Sequence, residues 1–140
     1  MSQAFATETT IKRPVADVWG ALTDWERAPE WMEAVESLHA DGPTEVGTTL
    51  TFVSRGKSHT SEITAVEPGR SFTLTSTQGG VVARYHYRVD PTGDPESTRA
   101  RLAVEVDAHG GWKLIGPVVR RAVRRTDAGQ MEDLRALVEA

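Results

Sequence analysis

Neither cysteine nor asparagine occurs among the 140 residues. The first absence excludes disulfides, thiolate catalysis and every cysteine-containing metal site, and is compatible with the reducing cytoplasm where the chain is expected to reside. The second leaves the turns to glycine, aspartate and proline. No stretch approaches the roughly 18 apolar residues of a membrane span. The opening MSQAFATETTIKRP lacks a basic region followed by an apolar run. Neither secretion nor stable membrane insertion is therefore expected. Positive charge is also in deficit: 16 basic side chains against 20 acidic ones give a net charge of -4. That balance argues against a phosphate-seeking surface, and no nucleic-acid partner is expected.

The one dense basic cluster is RRAVRR, Arg120 to Arg125. Its plain reading is a solvated helix face. Binding of nucleic acid or an anionic membrane is opposed by the net charge, the lack of neighbouring lysines and the absence of a nucleic-acid motif. TQGG lacks the remaining residues of a nucleotide-binding loop and reads as a hairpin turn. Residues 1–140 read as one domain, long enough to bury roughly two thirds of the unfolded surface without a metal or disulfide staple.

Three of the four tryptophans, Trp19, Trp25 and Trp31, crowd into RPVADVWGALTDWERAPEWM. Pro14 opens a helix there, with Val15, Val18, Trp19 and Leu22 at helical spacing. Asp24 is placed to cap a second short helix that Pro29 interrupts. Two helices this short must bury their apolar faces on a larger element. Trp19 and Trp31 are read as fasteners, and Trp25 as a ring near a cavity mouth.

Strand signals dominate elsewhere. Phe5–Lys12 alternates before the helices. Six further segments follow: 35–40, 48–54, 57–66, 70–76, 81–90 and 98–107. Their connections are too short for crossover helices, so the sheet is antiparallel. Alternation puts Phe72, Leu74, Ser76, Tyr85, Tyr87, Val89, Leu102, Val104 and Val106 on one apolar face, with Arg84, His86, Arg88, Arg101, Glu105 and Asp107 opposite. Trp112–Glu139 reads as a helix of about seven turns covering that face, with Pro117 near its start and Gly129 as a weak point. Ile115, Val118, Val119, Ala122, Thr126 and Asp133 share its broad inner face.

The order I11-x-x-P14-x-x-x-V18-W19, D24, P29-x-W31, V46-G47-T48, I63 and E67-P68-G69 resembles the START-related polyketide cyclase/dehydrase and lipid-transport superfamily (SRPBCC) along essentially the whole chain. The resemblance implies an α+β helix-grip fold. A seven-stranded curved antiparallel sheet surrounds a long C-terminal helix, two short helices follow strand 1, and a cavity lies between sheet and helix. It assigns scaffold roles to Pro14, Val18, Trp19, Trp31, Gly47, Pro68 and Gly69. Members include carriers, receptors, cyclases and dehydratases, so the resemblance implies no universal catalytic signature.

Within that frame the expected function is binding of a small hydrophobic or aromatic molecule. The alternatives are a polyketide cyclase, aromatase or dehydratase, and a non-catalytic protein-interaction module using the outer sheet or the arginine ridge. The expected ligand wall comprises Trp25, Phe52, His59, Ser61, Phe72 and Leu74, joined by Tyr85, Tyr87, Leu102, Val118 and Ala122. His59, Tyr85 and Tyr87 are the catalytic candidates, because histidine transfers protons near neutral pH and a phenol offers both a ring and a hydroxyl. Their plain roles are a rim hydrogen bond for His59 and core packing for the tyrosines. The four histidines, at 39, 59, 86 and 109, show no metal-ligand spacing, and neither metal nor other cofactor is expected. Both sheet edges and the cavity mouth are compatible with a homodimer.

Overall fold

The computed structural model describes residues 3–140. In chain order the elements are β1 (Gln3–Ile11), α1 (Val15–Leu22), a 3-10 helix (Trp25–Glu30), β2 (Ser37–Ala40), β3 (Thr49–Ser54), β4 (Lys57–Glu67), β5 (Ser71–Gln78), β6 (Val81–Pro91) and β7 (Thr98–Ala108). A second 3-10 segment (Gly110–Ile115), α2 (Gly116–Asp127) and α3 (Gln130–Glu139) complete the chain. The seven strands form one sheet in the order β1-β7-β6-β5-β4-β3-β2, every neighbouring pair antiparallel. The expected strands are present with ends moved by a residue or two.

Turn chemistry explains this simple order. Arg55 and Gly56 join β3 to β4 with positive φ at both residues, 53° and 75°. That geometry matches the twist of a two-residue hairpin. Gly79 and Gly80 join β5 to β6, and the Trp112 ring lies so close over them that a Cβ at Gly80 would collide with it.

The two faces of the sheet obey the alternation. Outward, Arg101 pairs with Glu8 at 2.8 Å, His86 with Glu105 at 2.6 Å, and Arg84 with Asp107 at 3.7 Å. Inward, Phe72, Tyr87, Val89, Leu102, Val104 and Val106 are all buried, with Leu134 of α3 at 0 % exposure beside them.

The helices depart from expectation in two ways. Asp24 precedes the first 3-10 helix but makes no side-chain cap. Its backbone carbonyl accepts from Arg27 N–H at 3.0 Å instead. The C-terminal helix is assembled from three pieces, with a break at Ala128 and Gly129. Gly129 is the weakest helix former in that region, and the break falls there.

The tryptophans fasten this scaffold. Trp19 and Trp25 meet the Phe72 ring edge-on at 5.9 and 5.1 Å. Phe72 stacks on Tyr87 at 4.9 Å, and Trp31 meets Tyr87 edge-on at 5.8 Å. Each such pair contributes about 0.5–1.5 kcal/mol beyond area burial. Trp31 is 1 % exposed, yet its indole N–H has no hydrogen-bond partner among the described residues. Trp31→Ala should therefore cost about 3–5 kcal/mol in urea denaturation. Trp31→Phe should cost less than half of that, because it keeps much of the ring and removes a buried unpaired donor.

Candidate functional site: a cavity with a buried carboxylate network

Covering the sheet leaves space. A cavity of about 570 Å³ lies between the inner faces of β2–β6 and helix α2, extending to Gln130 at the start of α3. Arg55, Lys57 and Gln78 line its exposed end, beside the two hairpin turns. Leu74, Tyr87 and Gln130 line its buried end. Leu38, Leu50, Phe52 and Val123 supply apolar wall between them. A smaller cleft of about 360 Å³, bounded by residues of α1, the first 3-10 helix and α3, is lined by Arg13, Asp17, Asp24 and Arg27 and has no aromatic wall.

At the inner end one carboxylate organises three other side chains. Tyr85 donates its hydroxyl to Asp127 Oδ2 at 2.5 Å. Gln130 donates Nε2–H to Asp127 Oδ1 at 3.1 Å, and Tyr87 donates to Gln130 Oε1 at 2.7 Å. Asp127 is the last residue of α2 and is 8 % exposed. The negative end of the helix dipole and the loss of water both disfavour its charge. Burial raises the Asp127 pKa above the ordinary carboxylate value, while the hydrogen bonds from Tyr85 and Gln130 restrain the rise. Burial, then the nearby Asp127 charge, raises Tyr85 and Tyr87 well above the usual phenol value. Both phenols thus stay neutral donors at physiological pH.

Nearer the rim, His59 stacks on Phe52 at 5.4 Å, with its Nδ1 2.9 Å from Gln78 Nε2. Ser61 and Ser76 face each other across β4 and β5, with hydroxyl oxygens 2.5 Å apart. The inward parity of β4 and β5 puts both hydroxyls on the cavity wall.

Seven of the eleven expected ligand residues meet at this wall: Phe52, His59, Ser61, Leu74, Tyr85, Tyr87 and Ala122. The other four lie elsewhere. Trp25 is buried against Phe72, with its indole N–H donated to Thr44 Oγ1 at 2.9 Å, so it is a fastener rather than a mouth residue. Phe72 and Leu102 are packed out of reach in the core. Val118 is 68 % exposed on the outer side of α2, because the half-buried stripe that faces the sheet runs through Val119 and Val123 instead.

Sequence reasoning missed Asp127 and Gln130. It placed Asp133 on the inner face, but Asp133 is exposed. Stepping back from Leu134 by three or four residues would have passed through Met131 and Gln130, then Asp127, Val123 and Val119. Two polar residues interrupting an apolar stripe were the available signal.

No group of three or more metal-ligating side chains is assembled among the described residues. Among them, too, no helix is long and apolar enough to cross a membrane.

A family model described as "Polyketide cyclase / dehydrase and lipid transport" matches residues 2–139. The chain belongs to this family. Its cavity between sheet and C-terminal helix is the family's general site for hydrophobic or aromatic ligands. Solved structures agree in fold. A START superfamily protein from Mycobacterium smegmatis superposes with a TM-score of 0.75 at 14 % identity, covering 96 % of each chain. An aromatase/cyclase from Streptomyces gives 0.73 at 16 % identity, covering 96 % of this chain and 92 % of its own. Norcoclaurine synthase from Thalictrum flavum gives 0.68 at 18 % identity, covering 96 % and 84 %. Among curated proteins, none matches the sequence.

The raised pKa of Asp127 has a thermodynamic consequence. A carboxyl whose folded pKa exceeds its unfolded value contributes stability that is full below the unfolded pKa and is lost as pH rises through the folded one. Ligand-free protein should therefore lose stability relative to D127N between acidic and neutral pH. Thermal unfolding of both proteins across that range checks this, and a wild-type Tm that stays level or rises relative to that of D127N as pH increases contradicts it.

Proposed function

We propose that the protein binds a small hydrophobic or aromatic molecule in the cavity between the sheet and α2. The observation that carries this reading is the unfilled volume of about 570 Å³, whose largely apolar wall ends in four convergent polar groups. Its size falls within the range of small-molecule sites. Apolar burial at about 25 cal/mol per Å² supplies affinity. The Tyr85–Asp127–Gln130–Tyr87 network fixes orientation, and His59 with Phe52 forms an aromatic ledge near the entrance. A soluble, cytoplasmic carrier or enzyme accommodates this arrangement equally.

Ala122 tests the reading. It lines the cavity from α2 yet is solvent-accessible, so a larger side chain there fills space without displacing core. Ala122→Trp should weaken binding of an apolar fluorescent probe at least about tenfold, or ~1.4 kcal/mol, with Tm nearly unchanged. Undiminished binding would place the probe elsewhere.

A second reading, catalysis of the cyclase, aromatase or dehydratase type, is favoured by one contact, the Tyr85 hydroxyl on the buried Asp127 carboxylate. A carboxylate disfavoured by burial is a stronger base toward an enolisable carbon, and as Asp127 takes up that proton the Tyr85 hydroxyl is released to turn its hydrogen bond to the developing enolate. Confinement of a reactive polyketone would supply much of the acceleration. With a demonstrated substrate, D127N should lower kcat at least about hundredfold and Tyr85→Phe less. Unchanged turnover in D127N would remove the catalytic reading and leave the binding reading standing.

A further inference from the structure

We propose that the inner end of the cavity is a cation subsite, and that the ligand it takes is an apolar molecule carrying a protonated amine. The proposal rests on the ligand-binding role inferred above and specifies the chemistry of the occupant.

Two sources of negative potential converge on this point. The first is the Asp127 carboxylate itself. Among the described residues it forms no ion pair with any lysine, arginine or histidine. The second is the C-terminal end of α2, where Asp127 sits and where terminal backbone carbonyls favour a cation, offset in part by the N-terminus of α3 at Gln130.

Nothing in the wall supplies the missing charge. The groups touching the carboxylate, Tyr85 and Gln130, are neutral donors, and they occupy one lone pair on each oxygen. A carboxylate offers roughly four acceptor positions, so about two remain for an ammonium. The wall's two fixed cations, Arg55 and Lys57, line the opposite, exposed end. They oppose an ammonium at the rim and favour one drawn inward, with the ligand's apolar body between Phe52 and Leu74.

Three ligands with the same body and different heads separate the alternatives: phenylbutylamine, phenylbutanol and phenylbutyrate. Binding is followed by calorimetry near neutral pH. Displacement of an apolar fluorescent probe confirms occupancy of the cavity. The amine should bind at least about tenfold tighter than the alcohol, a gap of ~1.4 kcal/mol, and the carboxylate weakest of the three. In D127N that advantage should fall to within about twofold, whereas Tyr85→Phe, which keeps the charge, should retain most of it.

Because a variant can misfold, the unmodified protein supplies a second readout. The amine's advantage should decline as pH falls and Asp127 is protonated, and should do so equally in His59→Gln, which removes the titratable imidazole from the cavity wall. An amine no tighter than the alcohol, an advantage that persists in D127N, or one independent of pH would overturn the cation subsite while leaving the cavity reading intact. Failure of all three ligands to bind or displace the probe would overturn both.

Discussion

Phe72 and Tyr87, stacked across β5 and β6 at 4.9 Å, are the contact on which the remaining architecture depends. On one side they receive the edges of Trp19, Trp25 and Trp31, which draws α1 and the first 3-10 helix onto the sheet. On the other, Tyr87 passes a hydrogen bond to Gln130 and stacks on Tyr85, which reaches Asp127. One column of rings thus begins as scaffold and ends as site. Losing a ring in its middle would loosen the helical cap and the polar network together, since aromatic packing of this density transmits small displacements.

The cavity follows from uneven covering of the apolar face. Near β1 and β7, α3 and the end of α2 close on the sheet, and Leu134, Met131 and Val104 fill the interface. Along β3 to β6 the facing side chains of α2, such as Ala122 and Thr126, are too short to reach the opposite wall. Space therefore persists where the sheet surface is most aromatic. The break at Ala128–Gly129 separates a packed helix from one that overhangs the opening. Asp127 and Gln130 flank that break, so a polar network sits at the boundary between filled core and ligand space.

Fold was legible in the sequence because its signals are local. Alternation in VVARYHYRV and TRARLAVEVDA, glycine at the hairpin turns and Pro14 before α1 each act within a few residues. Together they leave one antiparallel arrangement in which a single face needs covering. Cavity residues on strands were legible for the same reason: parity assigned His59, Ser61, Leu74, Tyr85 and Tyr87 inward, and the cavity wall contains them. Parity also assigned Phe72 and Leu102 inward. It carries no information on whether an inward residue meets another side chain or open space, and these two are core.

What the sequence determined by itself was the architecture and the inward set, because backbone periodicity and turn geometry are properties of neighbouring residues. What only tertiary structure decided was the chemistry of the inner end. Asp127 is distant in sequence from Tyr85 and unremarkable in RRTDAGQ. Its burial, its two hydrogen bonds and its lack of a cationic partner arise only when α2 is laid over β1 and β7 at one rotation about its axis, with Asp127 turned toward Tyr85 of β6. That rotation is set by Val119, Val123, Met131 and Leu134 packing on the sheet. It places a carboxylate where water cannot compensate its charge, and this is the property that gives the cavity a chemical preference.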